Sequence, residues 1–189
     1  MLKIKKILLI IAITLCIFQL VVLATAIDIG ESASDRGSSD ADYTDINVGN
    51  PANESGTITS IEIWANTNLD AGVEVATFFL VSGTNFSTRD SVTLGNVTAG
   101  SKQTFTEDSD TNPIALEVEA GDYIGVYFSD GAIEYDSSGF SGVWAVSGDK
   151  IPCTNQEFTL YGGDAVSVYA TGATAEEGGT SIMFTFSSF

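Results

Sequence analysis

Past residue 26 apolar and polar side chains trade places at nearly every step, and no apolar stripe recurs at helical spacing. Ile61, Ile63 and Ala65 alternate with Ser60, Glu62, Trp64 and Asn66. Val73, Val75, Thr77 and Phe79 alternate with Glu74, Ala76 and Phe78, and Leu116 and Val118 with Glu117 and Glu119. Ile124, Val126 and Phe128 oppose Tyr123, Gly125 and Tyr127; Val166, Val168 and Ala170 oppose Ser167 and Tyr169; Ile182, Phe184 and Phe186 oppose Met183 and Thr185. A period of two sends successive side chains to opposite faces of a strand, one toward a core and one toward water, as in antiparallel sheets. Turn formers punctuate the runs: Gly49-Asn50-Pro51, Ser82-Gly83-Thr84-Asn85, Asn112-Pro113, Ala120-Gly121-Asp122, Asp130-Gly131 and Gly162-Gly163-Asp164. All three prolines fall in breaks, where no ladder hydrogen bond is lost. The pattern predicts an all-β chain of about ten to twelve short strands, an antiparallel β-sandwich with jelly-roll winding.

The first 26 residues obey another rule. Lys3, Lys5 and Lys6 precede an apolar run from Ile7 to Leu23, and Ala24-Thr25-Ala26 follows. A charged start, an apolar middle and an A-x-A end read as a secretory signal helix over 1–26, cleaved after Ala26. The run is short for a bilayer span and Gln19 interrupts it, so an uncleaved anchor is the lesser reading, and membrane contact is expected only through this segment. Leu15 before Cys16 argues against a lipoprotein, and Ile7 directly after Lys6 against a pilin-type leader. The expected location is therefore secreted or cell-surface. Residues 27–42, rich in Ser and Asp, read as a flexible acidic segment, and 43–189 as one sandwich domain, large enough to bury roughly 70% of its unfolded surface. Terminal segments of this kind offer a strand to a neighbouring copy, so glycans and copies of the same chain are the partners to expect.

Charge narrows the function classes. Beyond residue 26 four of the seven bases remain against all 25 acids, a net charge of −21, and the chain has no His. Imidazole-based catalysis and HExxH zinc sites are excluded, and nucleic acid is excluded as a partner because four scattered bases make no basic stripe. Cys153 is the one cysteine past the leader, which rules out an intrachain disulfide there; Ile151-Pro152-Cys153 reads as a turn entering a strand with the sulfur buried.

The segment Leu116–Phe128, strand, Gly-Asp turn, strand, resembles a step found in jelly-roll modules, among them carbohydrate-binding modules and tumour-necrosis-factor-like domains. Ser60–Leu69, Phe86–Asp90 and Ile151–Asn155 resemble stretches of uncharacterised secreted β-sandwich proteins of environmental microbes. What the resemblance implies is architecture, since one fold hosts many activities. A membrane β-barrel is the rival. Counting back by twos from Phe189 meets Ser187, Thr185 and Met183, while Phe184 and Phe186 lie on the other phase, so the last strand lacks a lipid-facing apolar row.

Candidate sites follow from residue chemistry. Asp108, Asp110 and Asn112 have the D-x-D-x-N spacing that converges alternate oxygens on calcium, although Pro113 stands where a full loop would need Gly. Asp40, Asp42 and Asp45 are a weaker calcium candidate. Trp64 with Glu62 and Asn66 on one strand face, and Trp144 near Tyr135 and Asp136, are candidate glycan platforms, a ring to stack a sugar with polar groups for its hydroxyls. Both tryptophans are also natural core residues. Glu62 with Glu74, or Glu134 with Asp136, are formal glycosidase pairs, but a chain with 25 acids guarantees such pairs. Asn53, Asn85 and Asn96 open N-x-S/T sequons. The expectation is an exported, non-catalytic surface module, structural or adhesive. A carbohydrate-binding module is the alternative, and a carboxylate-dependent glycan-active enzyme stands third.

Overall fold

A computed structural model describes residues 24–175. Among them the protein is all-β, fifteen strands in two antiparallel sheets with no helix. The first sheet runs β1 (Ala26–Gly30), β15 (Val168–Ala173), β4 (Gly56–Thr67), β10 (Ala132–Asp136) and β14 (Ala165–Val166), with β2 (Ser38–Asp40) on β10, and β7 (Lys102–Phe105) and β8 (Leu116–Val118) on β4. The second runs β12 (Gln156–Glu157), β6 (Asn85–Leu94), β5 (Val73–Ser82), β9 (Tyr123–Tyr127), β3 (Tyr43–Asn47), β11 (Val143–Ser147) and β13 (Thr159–Tyr161). The expected signal helix over 1–23 and the expected strand Ser181–Phe186 lie outside the described residues.

The inner faces of both sheets supply one core. Ile58, Ile61, Ile63 and Ala65 of β4 meet Val73 and Val75 of β5, Ile124 and Val126 of β9 and Val166 and Val168 of the first sheet, all buried. These are the positions that the two-residue alternation assigns to the core. Asn47 sews the sheets together. Its buried amide donates to the carbonyls of Val166 (3.0 Å) and Val168 (3.2 Å) and accepts from the Val166 amide (3.1 Å). All its main bonding capacity is used, as burial of an amide requires.

The second sheet departs from the one-wet-face expectation. Its outer face carries Ile46, Ala76, Phe78 and Phe86, and residues Ile151 and Phe158 of the following loop roof them over. Phe86 and Phe158 meet edge-on at 5.7 Å, and Phe78 and Phe158 at 6.1 Å. Gly125 makes room for this layer, since a Cβ there would sit 2.7 Å from the Phe78 ring. A register shift between Thr77 and Phe78 also reverses the phase of β5, burying Phe78 and leaving Phe79 36% exposed.

Residues 27–42, expected as a flexible extension, are instead built into the fold. Ile27 and Ile29 are buried, and β1 pairs along its whole length with β15, Ala26 opposite Ala173. The Ile-x-Ile start is itself a short alternating strand, and β15 offers it a free edge. Ile151-Pro152-Cys153 forms an irregular loop rather than a strand entry, and the Cys153 sulfur is half-buried, 3.7 Å from the Phe86 carbonyl.

Candidate functional site

Where the two sheets part along one margin, Asp40, Tyr43, Tyr135, Ala145 and Tyr161 line a cleft of about 220 Å³. The strand registers explain why these residues meet. Asp40 lies opposite Ile133, a core position, so it faces inward from β2, and Tyr135 faces inward two residues further along β10. Across the gap, Tyr43 and Asp45 share the inner face of β3, Ala145 sits opposite Asp45, and Tyr161 opposite Val143. A tight turn carries the chain from Asp40 in the first sheet to Tyr43 in the second. Asp40 accepts from the Ala41 amide at 2.8 Å, and Asp42 takes a left-handed φ of 66°, a conformation Asp tolerates better than most residues.

Behind the lining lies a buried acidic group. Asp45 is 1% exposed, and neither carboxylate oxygen meets a hydrogen-bond donor. Burial, followed by repulsion from Asp40 and Asp164, pushes its carboxyl well above the usual aspartate range. Burial also raises Asp40. The Tyr135 hydroxyl donates to Asp164, and that phenol titrates above its ordinary range, chiefly through desolvation.

None of the four bases past residue 26 serves this group. Arg36, Arg89 and Lys102 pair respectively with Asp136, with Asp122 and Glu119, and with Glu62, while the Lys150 ammonium donates to the Asp149 carbonyl.

The expected platforms fall on other faces. Glu62, Trp64 and Asn66 do share the outer face of β4, but Lys102 stands opposite Trp64 and binds Glu62 at 2.9 Å, and the Asn66 amide donates to Glu134 at 2.7 Å. Trp64 is half-buried there. Tyr135, Asp136 and Trp144 do not come together. Tyr135 turns into the cleft, Asp136 turns outward to Arg36, and Trp144 joins the aromatic layer on the second sheet's outer face, 4.6 Å from Phe86 and 5.0 Å from Tyr123. Adjacent strand residues point to opposite faces, which separates the first two. Trp144 thus packs in a cluster rather than presenting a flat ring. Trp144→Ala is expected to cost about 2–3 kcal/mol in chemical denaturation, somewhat under the ~3–5 kcal/mol of a fully buried Trp; a loss under half a kcal/mol, about the surface level, would contradict the packing role.

The D-x-D-x-N loop closes on itself. Asp108 accepts from the amides of Asp110 (2.9 Å) and Asn112 (2.8 Å) and from the Asn112 side chain, bonds that hold its carboxyl below the usual range. Among the described residues no three acids, His or Cys converge as a metal site. Of the sequons, Asn53 spends its side chain pinning β1 (2.9 Å from the Asp28 amide), Asn85 donates to the Asn155 carbonyl, and Asn96 stands exposed in the loop after β6.

One further polar knot lies on the first sheet's outer face. The Arg36 side chain, 2% exposed, donates to Ser167 (2.6 Å), Asp136 (3.0 Å) and the Ser32 carbonyl (2.8 Å), and its guanidinium covers Phe140 at 4.7 Å. The Gly37 amide and then Arg36 hold Asp136 below its ordinary pKa.

Local reading missed the roles of Tyr43, Tyr161 and Asp164. One signal was present: in Tyr43-Thr44-Asp45-Ile46-Asn47 an aspartate holds the phase of neighbours that all face inward. Comparisons with protein-family models, curated proteins and solved structures found no match.

Proposed function

We propose that the protein is an exported, non-catalytic β-sandwich that acts as an adhesive surface module, engaging its ligand in the cleft between the sheets. The cleft lined by Asp40, Tyr43, Tyr135, Ala145 and Tyr161 carries this reading. Aromatic walls with a few placed polar groups are the usual makeup of a binding site. Export rests on the leader pattern of residues 1–26. Jelly-roll winding is supported by a chain that crosses between sheets at most steps, with β9 set between β5 and β3. A second reading, carbohydrate binding, is favoured by Tyr161, 46% exposed beside Asp40, where a sugar face has a ring to stack on. No cofactor is part of either reading, since the one calcium loop suggested by sequence satisfies its own carboxylate.

The test uses protein expressed from the whole 189-residue sequence and recovered from the exported fraction. Saturation-transfer NMR against neutral sugars, amino sugars and alkylammonium salts should give at least one hit that a Tyr43→Ala/Tyr161→Ala variant loses, with the ligand chemically unchanged after a day. Both tyrosines are partly exposed, so the variant should fold. No hit, hits indifferent to the two substitutions, or turnover of the ligand would each overturn the proposal.

A further inference from the structure

We infer that the cleft selects a small organic cation, an alkylammonium head held against Tyr43, Tyr135 and Tyr161 and neutralised by Asp40 with Asp45 behind it. The inference rests on the cleft-binding reading and narrows it to a ligand class.

Three observations converge on that chemistry. First, the site is anionic with no internal counter-charge. Asp40, Asp45 and Asp164 gather within one corner, and every base past residue 26 is engaged elsewhere. Second, Asp45 is fully buried and without a donor, an arrangement that costs free energy until a positive partner or a proton arrives. Its strand register aims it at the cleft, on the same inner face as Tyr43 and opposite Ala145, both of which line it. Third, the remaining wall is tyrosine. Aromatic faces attract cations, and quaternary ammonium ions above all suit them, because their charge is spread over an apolar surface.

The same features disfavour the competing ligands. A calcium ion needs six to eight oxygens at close range, and among the described residues no three acids converge as a metal site. Alanine and three phenol rings cannot replace a hydration shell. A neutral sugar would leave the buried carboxylate uncompensated. At about 220 Å³ the cleft is also smaller than the ~300–1,000 Å³ that whole drug-sized ligands occupy, and it suits a single headgroup.

The probes are choline chloride, its neutral tert-butyl analogue, calcium chloride and glucose, each titrated calorimetrically into the exported full-length product. Choline should bind at least tenfold more tightly than the neutral analogue of the same shape. Asp40→Asn and Tyr161→Leu should each weaken choline binding about tenfold. Asp45→Asn should weaken it too while leaving the protein at least as resistant to urea, which separates lost binding from lost folding. Equal affinity for choline and the neutral analogue would overturn the inference, as would calcium binding that competes with choline and exceeds it. Glucose binding at the tyrosines without choline binding would overturn the ligand class and leave the cleft reading standing. Silence from all four probes, with a sugar or amine hit from the wider screen also missing, removes both.

Discussion

Replacing Asp45 with asparagine is expected to raise stability at neutral pH by about 1–3 kcal/mol, the cost of one buried polar group without a partner. In the parent chain the carboxyl faces Asp40 from β2, Asp164 from the turn before β14 and Tyr135 from β10, and none of these supplies a positive charge. An asparagine amide of the same shape donates hydrogen bonds to those carboxylates instead of repelling them. The pH dependence gives the sign. Asp45 has a folded pKa well above its unfolded value near 3.8, so folding favours the protonated form. Its contribution is fully present in acid below that unfolded value and is lost as pH rises through the folded pKa. Urea denaturation of the parent across pH 4 to 8 should show a loss of stability on the alkaline side that the variant lacks. A variant less stable than the parent at pH 7 would mean that the carboxylate has a partner after all.

The second large effect runs the other way. Arg36→Ala is expected to cost about 3–5 kcal/mol, the range found when one member of a buried charged pair is deleted. Arg36 is the hub of a knot that binds Ser32 in its own segment, Asp136 on β10 and Ser167 beside β14, with Phe140 against the guanidinium plane. Its backbone amide also donates to the buried Glu134 at 2.9 Å. Arg36→Lys should recover only part of the loss, because an ammonium cannot fork to three acceptors and stack at once. Amide hydrogen exchange should show protection lost first over residues 26–40. A cost under 1 kcal/mol would place Arg36 among ordinary surface ion pairs.

The two sheets differ in how far sequence alone reveals them. On β4 the outward phase is polar, Glu62 and Asn66 among it, so alternation assigns every inward residue correctly. On β5, β3 and β11 both faces are covered, and a strand buried on both sides loses the contrast that alternation depends on. Ala76, Phe78, Ile46 and Trp144 hold the nominally outer phase, yet they belong to an aromatic layer closed by a loop more than sixty residues downstream of Phe86. Nothing local announces that roof. The bulge after Thr77 is equally silent, because an extra residue shifts the phase without changing composition.

Site residues were harder to read for the same kind of reason. A D-x-D-x-N string specifies a spacing, and a spacing serves a self-capping turn as well as a cation; Asp108 adopts the first use. Tyr135 and Asp136 are neighbours in the chain and therefore on opposite sides of the sheet. The cleft instead assembles Tyr43, Tyr135 and Tyr161 from three strands through register, which a local motif does not encode. Asp45 was the legible clue, a charged residue at an inward position.

The outermost pair of the first sheet has a mechanical corollary. Thr25 and Thr174 exchange two hydrogen bonds at 2.9 and 3.0 Å, and from there β1 and β15 run back side by side in opposite directions. Tension applied between those two points would open the ladder one rung at a time, as a zip opens, instead of shearing all its rungs together. Holding from one of the two points alone leaves that seam unloaded, so a tether at a single end is the arrangement this fold withstands best.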